Sequence, residues 1–304
     1  MIVVCGEALI DLINNDGAAQ RALPGGGPFN TARALARLEV PTGFLGHLSD
    51  DAFGVELAGL LEADGASLEF ATIGPEKTTV AVANVDSEGL AEYEFLVEGT
   101  SAPNLTRDMI PAEFGPEVNA LHLGTLGLVL EPMAATLVEL AEREHGKRLL
   151  MLDPNTRAGL MPDAEYRARL HHVIDMATVV KASDTDLAWL YPGLEYEQAA
   201  ERILDRGIAV VVVTLGAKGS YGATRDMRVS VPAVEIHVVD TIGAGDAFGA
   251  AFLAWLHDHD RISPHVGLDE QELRSALGYA NLAAAITCTR AGADPPRKQE
   301  MVGV

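Results

Sequence analysis

Apolar residues along the chain fall into two alternating patterns. Continuous apolar runs, rich in Val and Leu, occupy 2–5, 43–48, 120–124, 148–153, 178–183 and 209–215. Apolar residues recur every three or four positions at 31–38, from 52, after 131, at 162–175, 184–190, 246–256 and 270–286. The first pattern predicts strands covered on both faces, and the second predicts amphipathic helices. Two shorter strands are predicted at 219–223 and 228–236. The alternation predicts an α/β fold with a mostly parallel central sheet between helices.

One segment departs from this alternation. From Thr78 to Val97 the polar and apolar residues alternate with period two, and Asp86 to Gly89 supply turn residues between the halves. This pattern predicts a β-hairpin with one solvent-exposed face. We therefore expect one α/β domain over 1–304 with a small β lid from about 12–23 and 78–98.

Composition narrows the class of protein. The 304 residues include 44 acidic and 22 basic side chains, a net charge of −22, and 48% are hydrophobic. This balance argues against a nucleic-acid partner and against docking on an anionic membrane. Cys5 and Cys288 stand alone, which argues against a disulfide framework or a structural zinc site. Glu7 and Asp11 interrupt the N-terminal apolar run, so we expect no signal peptide and a cytoplasmic protein.

The strongest chemical signal is the stretch VVDTIGAGDAFGAAFLAWL at 238–256. A predicted strand ends at Asp240, and a helix begins at about Asp246. The amides of Gly243, Ala244 and Gly245 would face outward at the positive end of that helix, where an anion such as a phosphate binds. Asp246 alone would be a helix cap, but after this loop it is a candidate to orient a hydroxyl proton. The helix dipole should keep it ionised.

Two other nucleotide-binding motifs are missing. The pattern GxxxxGK[ST] does not occur, since Gly146-Lys147 is followed by Arg148. The cluster Gly25-x-Gly27-x-x-Asn30 lacks the third glycine of a dinucleotide fingerprint and follows the first strand too late. A nicotinamide-dependent oxidoreductase is therefore the weaker interpretation.

Along nearly its whole length, the chain resembles the ribokinase-like (PfkB-type) sugar kinases. The motifs that carry the resemblance lie in the family's order: PGGGPFNTARALARL (24–38), LSDDAFG (48–54), LDPNTR (152–157), VVKASDTDLAWL (179–190), VTLGAKGS (213–220) and VVDTIGAGDAF (238–248). The resemblance implies a three-layer αβα sandwich with a small β lid, which would act as an ATP-dependent carbohydrate kinase.

The resemblance also assigns roles to individual residues. It makes Asp246 the base and gives the γ-phosphate to the amides of Gly243, Ala244 and Gly245. The candidate sugar contacts are Asp11, Gly26, Gly27, Asn30, Phe95, Arg157 and Asp246. The candidate ATP contacts are Asn155, Lys181, Thr214, Gly216, Gly219, Gly243, Gly245 and Asn281.

The expected metal sites are less well defined. The family's Asn-x-x-Glu segment is replaced by Ser183-Asp184-Thr185-Asp186, where Asp184 or Asp186 would hold Mg²⁺ through water. A monovalent cation, K⁺, would lie between the stretch after Asp240 and the late loop 289–294. Family members often pair their lids, which implies a homodimer through the lid.

The identity of the sugar depends on one missing charge. LHLGTLGLV (121–129) and DPNTR resemble fructokinases, whereas 2-keto-3-deoxygluconate kinases share the second motif. Such kinases usually place a lid Arg on the substrate carboxylate, but this lid reads Phe95-Leu96-Val97-Glu98. A neutral sugar is therefore favoured: fructose first, ribose or a nucleoside next. A non-catalytic sugar- or nucleotide-binding pseudokinase is the alternative from another class.

Overall fold

The computed structural model describes residues 1–15, 21–85 and 91–302. Its main sheet has eight strands in the spatial order β14-β13-β12-β11-β10-β9-β1-β4. These strands are β1 (Ile2–Cys5), β4 (Thr42–Leu45), β9 (Ala120–Gly124), β10 (Leu149–Asp153), β11 (Val179–Ser183), β12 (Val210–Thr214), β13 (Ser220–Ala223) and β14 (Arg228–Val231). The six strands from β4 to β12 in this order run parallel, β13 pairs antiparallel with β12, and β14 pairs antiparallel with β13. The mostly parallel sheet is thus confirmed.

Eight helices within the described residues cover both faces of this sheet. Their bounds are α1 (Gly27–Arg37), α2 (Ala52–Asp64), α3 (Met133–Glu144), α4 (Asp163–Ile174), α5 (Asp184–Leu190), α6 (Tyr196–Leu204), α7 (Ala244–Asp258) and α8 (Glu270–Cys288). One hydrophobic core joins the sheet to α1, α2, α7 and α8, and the other joins it to α3–α6. Successive side chains of each strand enter opposite cores, which explains the continuous apolar runs. No helix of the described chain is long and apolar enough to span a bilayer.

A second sheet stands apart from the sandwich. It contains β2 (Leu9–Asn15), β3 (Arg21–Gly25), β7 (Val80–Val85) and β8 (Ala91–Leu96), in the order β3-β2-β7-β8. Strands β7 and β8 pair antiparallel, and β2 pairs parallel with β7. A two-stranded sheet joins β5 (His47–Ser49) to β6 (Thr72–Gly74). Residues 16–20 of the expected lid and its turn, Asp86 to Gly89, lie outside the described residues.

The structure corrects three details of the sequence-based assignment. No strand leads into Asp240: β14 ends at Val231, Pro232 follows, and Val238 and Val239 are 55% and 58% exposed. Pro232 cannot donate to a sheet ladder, and the apolar residues after it join no strand; the amide of Val239 donates instead to the carbonyl of Cys288 at 2.8 Å. Helix α7 begins at Ala244, two residues before the expected start. Helix α6 was not predicted at all.

Candidate active site

The predicted site residues come mainly from loops at one edge of the main sheet. Strands β1, β9, β10, β11 and β12 are parallel, so their carboxyl ends share that edge. Ligands in open α/β sheets bind in the crevice outside these carboxyl ends. The residues that follow the strands, together with the first turns of α1 and α7, therefore form the candidate site.

Asp246 lies in the first turn of α7 and is only 8% exposed. Its Oδ2 accepts a hydrogen bond of 2.9 Å from Nδ2 of Asn30 in α1. Burial raises the pKa of Asp246, although Asn30, Lys181 and Arg157 favour the charged form. The expectation that the helix dipole keeps this carboxyl ionised stays a prediction. A raised pKa makes Asp246 a better proton acceptor than an exposed aspartate.

The loop before Asp246 forms the expected anion-binding turn, with one difference. Gly243 caps α7 with φ +75°, and in the described part of the chain the amides of Gly243 and Gly245 have no acceptor. The amide of Ala244 instead donates to the carbonyl of Thr241 at 3.3 Å. Two amides, rather than the three expected, are therefore available for an anion at the helix N-terminus.

Lys181 places a positive charge beside this turn. It is 4% exposed, and its Nζ donates to Oδ2 of Asp153 at 2.6 Å. A Cβ on Gly245 would lie 3.2 Å from the same Nζ. The charge of Asp153 raises the pKa of Lys181 despite burial, so Lys181 remains charged. Its position agrees with the expectation that it faces the phosphate region.

The two glycines of the first motif line a narrow space next to Asp246. Gly26 has φ +106°, and a Cβ on it would lie 2.8 Å from the carbonyl oxygen of Glu7. A Cβ on Gly27 would lie 2.6 Å from Oγ1 of Thr125 and 3.4 Å from Oδ1 of Asp246. Only glycine lets the backbone lie this close to Glu7, Thr125 and Asp246.

Thr125 is a candidate that sequence reasoning missed. It follows β9, is 3% exposed and has φ +56°, a conformation that β-branched residues rarely adopt. Such strained residues concentrate at functional sites. The only sequence signal was the family-like stretch 121–129, which does not mark any one residue.

Asp11 and Phe95 belong to the lid sheet and share one of its faces. Asp11 pairs with Ala81 in β7, and Ala81 pairs with Phe95 in β8, so the three side chains point the same way. Burial raises the pKa of Asp11 to about 6, and Asp246 adds to the rise. A cavity of about 180 Å³ lies beside Asp11, between the lid strands and the loop 291–294.

Arg157 is the common counter-charge of this pocket. Its charge lowers the pKa of Glu7, Asp11 and Asp246, against the stronger effect of burial. Its Nη1 donates to the carbonyl oxygen and to Oδ1 of Asn155, at 3.0 and 2.7 Å. The side chain of Asn155 therefore holds Arg157. The expected contact of Asn155 with ATP stays a prediction.

The nucleotide residues surround the end of β12. Gly216 and Gly219 have φ +56° and +99°, and a Cβ on Gly219 would lie 2.1 Å from the carbonyl oxygen of Val231. Thr214 ends β12 beside Ser183. Asn281 of α8 uses its Nδ2 to hold the carbonyls of Val231 and Pro232 at 3.3 and 3.1 Å. Only its Oδ1 is left to contact a ligand, so Asn281 mainly fixes the segment against which Gly219 packs.

The two candidate Mg²⁺ residues differ sharply. Asp186 is 7% exposed and accepts four hydrogen bonds, from the amide and hydroxyl of Ser183 and of Thr156, at 2.6–2.9 Å. A carboxylate has about four acceptor sites, so these bonds favour Asp184 over Asp186 as the residue that would hold Mg²⁺ through water, and this role stays a prediction. Asp184 is exposed, and its proposed role stays a prediction. Within the described ranges no cluster of three or more metal-ligating side chains occurs, so the residues do not fit a protein-built metal cage.

Asp240 bridges the two loops of the expected cation site. Its Oδ1 accepts from the amide of Ile242 at 3.0 Å, and its Oδ2 accepts from the amide of Gly292 at 2.8 Å. Next to this bridge, a Cβ on Gly243 would lie 2.6 Å from the Cβ of Ala293. The late loop therefore supports the anion-binding turn, and K⁺ binding stays a prediction.

These features suit one class of protein, an α/β phosphotransferase, because a buried carboxylate lies directly after a turn with free backbone amides at a helix N-terminus. Residues 1–300 match the pfkB family carbohydrate kinases. The chain belongs to this family, and it is a carbohydrate kinase that uses ATP.

Individual relatives agree with this assignment. A fructokinase of Rhizobium leguminosarum bv. trifolii is 38% identical over 284 residues, which cover 90% of this chain and 86% of that protein. The structure of Vibrio cholerae O395 fructokinase with fructose, ADP and calcium ion has a TM-score of 0.84 and 27% identity, over 96% of this chain and 94% of that one. The structure of aminoimidazole riboside kinase from Salmonella enterica has a TM-score of 0.83 and 26% identity, over 96% of this chain and 94% of that one.

Proposed function

We propose that the enzyme transfers the γ-phosphoryl group of ATP to a primary hydroxyl of fructose. The observation that carries the proposal is the buried carboxylate of Asp246 at the N-terminus of α7, beside Gly27, where a Cβ would lie 3.4 Å from its Oδ1. A sugar hydroxyl bound at this place, the acceptor space, would lie within reach of that carboxylate. The fructokinases among the relatives favour fructose as the acceptor.

The proposed chemistry needs one proton acceptor and one site for phosphate charge. The sugar oxygen forms a bond to the γ-phosphorus while the bond from that phosphorus to the β–γ bridging oxygen breaks, and ADP leaves. Asp246 accepts the hydroxyl proton as the new bond forms. The amides of Gly243 and Gly245 and the ammonium of Lys181 stabilise the charge on the transferring group.

The charges around the pocket favour a neutral acceptor over an acidic sugar. Lys181 is paired with Asp153 at 2.6 Å, and Arg33, which lines the adjoining cavity, is paired with Asp64 at 2.7 Å. Arg157 faces Glu7, Asp11 and Asp246. An acidic sugar would have to compete with these carboxylates for a cation, since lid residues 96–98 are Leu, Val and Glu.

The remaining expectations belong to the same proposal. Asp11 and Phe95 would contact the sugar from the lid, which closes over it and excludes water. The β8 edge of the lid sheet carries Leu96, 47% exposed, and would pair with a second subunit to form the homodimer. Mg²⁺ would be held by the ATP phosphates and water, K⁺ would bind near Asp240, and the protein would work in the cytoplasm.

A nucleoside kinase is the second candidate, because the aminoimidazole riboside kinase shares the fold over 96% of this chain. The deciding experiment measures ADP release from Mg-ATP with fructose, ribose, aminoimidazole riboside and 2-keto-3-deoxygluconate. We expect the highest kcat/KM with fructose. A best response to the riboside would replace fructose by a nucleoside, and a best response to 2-keto-3-deoxygluconate would overturn the charge argument. No turnover with any acceptor would contradict the proposed function.

A further inference from the structure

Glu7 is a buried acid that the mechanism above does not use. It follows β1, is 1% exposed and is among the most deeply buried carboxylates of the described chain. Its Oε1 accepts from the amide of Gly27 at 3.2 Å, and its Oε2 accepts from the amide of Gly127 at 3.0 Å. Because an unpaired buried carboxylate is costly, these two bonds are the reason that the fold tolerates it.

The two amides belong to opposite walls of the acceptor space. Gly27 is the first residue of α1, and a Cβ on it would lie 3.4 Å from Oδ1 of Asp246. Gly127 lies in the 3₁₀ turn 125–128, which begins at the strained Thr125. The walls approach closely, since a Cβ on Gly27 would lie 2.6 Å from Oγ1 of Thr125. A single side chain therefore ties the glycine wall to the threonine wall.

We propose that Glu7 is a positioning residue, whose carboxylate fixes the distance between Gly27 and Thr125 and so sets the shape of the acceptor pocket. This inference rests on the proposed function, because it assigns that space to the sugar. Glu7 does not touch the sugar itself. It acts through the backbone of the two walls, so its loss should weaken sugar binding and leave ATP binding unchanged.

The chemistry of the side chain makes the proposal specific. A carboxylate offers an acceptor oxygen to each amide, whereas a glutamine offers one oxygen and one NH₂ group. In Glu7→Gln the NH₂ group would face the N–H of Gly27 or of Gly127, and that hydrogen bond would be lost. Glutamine has nearly the volume of glutamate and keeps one oxygen to accept from one of the two amides. The Gln variant should therefore fold.

The chain offers a matched control. Glu144 of α3 is 3% exposed and also uses both oxygens, which accept from Nε of Arg143 and of Arg148 at 2.7 and 2.8 Å. Glu144→Gln makes the same chemical change in a buried acid away from the acceptor space. Comparing the two variants separates the general effect of neutralising a buried acid on stability from a specific change in the shape of the acceptor pocket.

The test compares KM for fructose, KM for ATP, and backbone amide exchange in the wild type and both variants. For Glu7→Gln we expect KM for fructose to rise about tenfold, since one buried amide of the pocket walls loses its acceptor. KM for ATP should stay within about twofold, and the segments holding Gly27 and Gly127 should exchange faster. Glu144→Gln should change neither KM nor exchange in these segments.

Three outcomes would overturn the proposal: an unchanged KM for fructose, an equal rise of both KM values, or equal effects in the two variants. Failure of the proposed function is a separate result, because the wild type would then not phosphorylate fructose. In that case the acceptor found in the substrate panel replaces fructose. With no acceptor at all, unchanged exchange of the two segments in Glu7→Gln would still refute the bridge between the walls.

Discussion

Replacement of Lys181 by methionine tests whether the buried ion pair supports the fold, the reaction or both. The change leaves Asp153 2% exposed and without its 2.6 Å partner. Removing one member of a buried pair typically costs about 3–5 kcal/mol in the free energy of unfolding. At pH 7 we expect a loss of this size in Lys181→Met, measured by urea unfolding.

The pH dependence of this loss follows from Asp153. Burial raises its pKa to about 6, although Lys181 works against the rise, so removing Lys181 would raise it further. A carboxyl whose pKa is raised by folding destabilises the fold increasingly as the pH rises from its unfolded pKa to its folded pKa, and the penalty disappears as the pH falls. The loss in Lys181→Met should therefore be smaller at pH 5 than at pH 7.

A second substitution separates stability from catalysis. Lys181→Met combined with Asp153→Asn removes both charges and should recover most of the lost stability. Turnover should remain down by about 10²–10³-fold, as for the loss of one group that stabilises transition-state charge. Recovery of turnover together with stability would refute the phosphate role of Lys181. Arg274→Met, which breaks an exposed pair with Glu270, is the control and should cost less than about 1 kcal/mol.

Three further predictions concern Gly243 of the turn before Asp246, Asp11 of the lid, and Asp186. Gly243→Ala should lower kcat at least tenfold and lower the free energy of unfolding by roughly 1–2 kcal/mol, because φ of Gly243 is +75° and Ala293 leaves no room for a Cβ. The control for backbone strain alone is Gly146→Ala, because Gly146 has φ +72° and open space around it; this variant should keep kcat. KM for fructose should rise as the pH falls below about 6, where Asp11 becomes protonated, and an Asp11→Asn enzyme that kept this dependence would contradict the assignment. Asp186→Asn should lower stability by roughly 1–3 kcal/mol with an unchanged Mg²⁺ requirement, and a changed requirement would reopen Asp186 as a metal residue.

The sheet and the family could be predicted from the sequence because their signals are long. Continuous apolar runs such as Val210–Thr214 indicate a strand buried on both faces, and the structure confirms it. Six motifs in the family's order indicated the family, which the match over residues 1–300 confirms. The stretch before Asp240 misled the same reasoning. Its apolar alternation is typical of a strand, but β14 is the edge of the sheet, and the amide of Val239 bonds to the end of α8 rather than to a strand.

Residues that depend on three-dimensional neighbours could not be predicted. Glu7 and Thr125 give no local signal, since their role comes from a carboxylate that spans two segments 100 residues apart along the chain. The saturation of Asp186 depends on Thr156, which belongs to another loop. The motif that contains Asp184 and Asp186 predicted a carboxylate near the phosphates. It could not predict which carboxylate oxygens already accept hydrogen bonds from the protein itself.

The central claim is that Asp246 accepts the proton of the sugar hydroxyl. Asp246→Asn tests it directly, because the amide oxygen can still accept from Asn30 and the fold loses no volume. We expect kcat for fructose-dependent ADP release to fall by about 10²–10⁴-fold, the range for loss of a general base, with ATP affinity unchanged by calorimetry. Turnover within tenfold of the wild type, from protein free of contaminating kinases, would contradict the account.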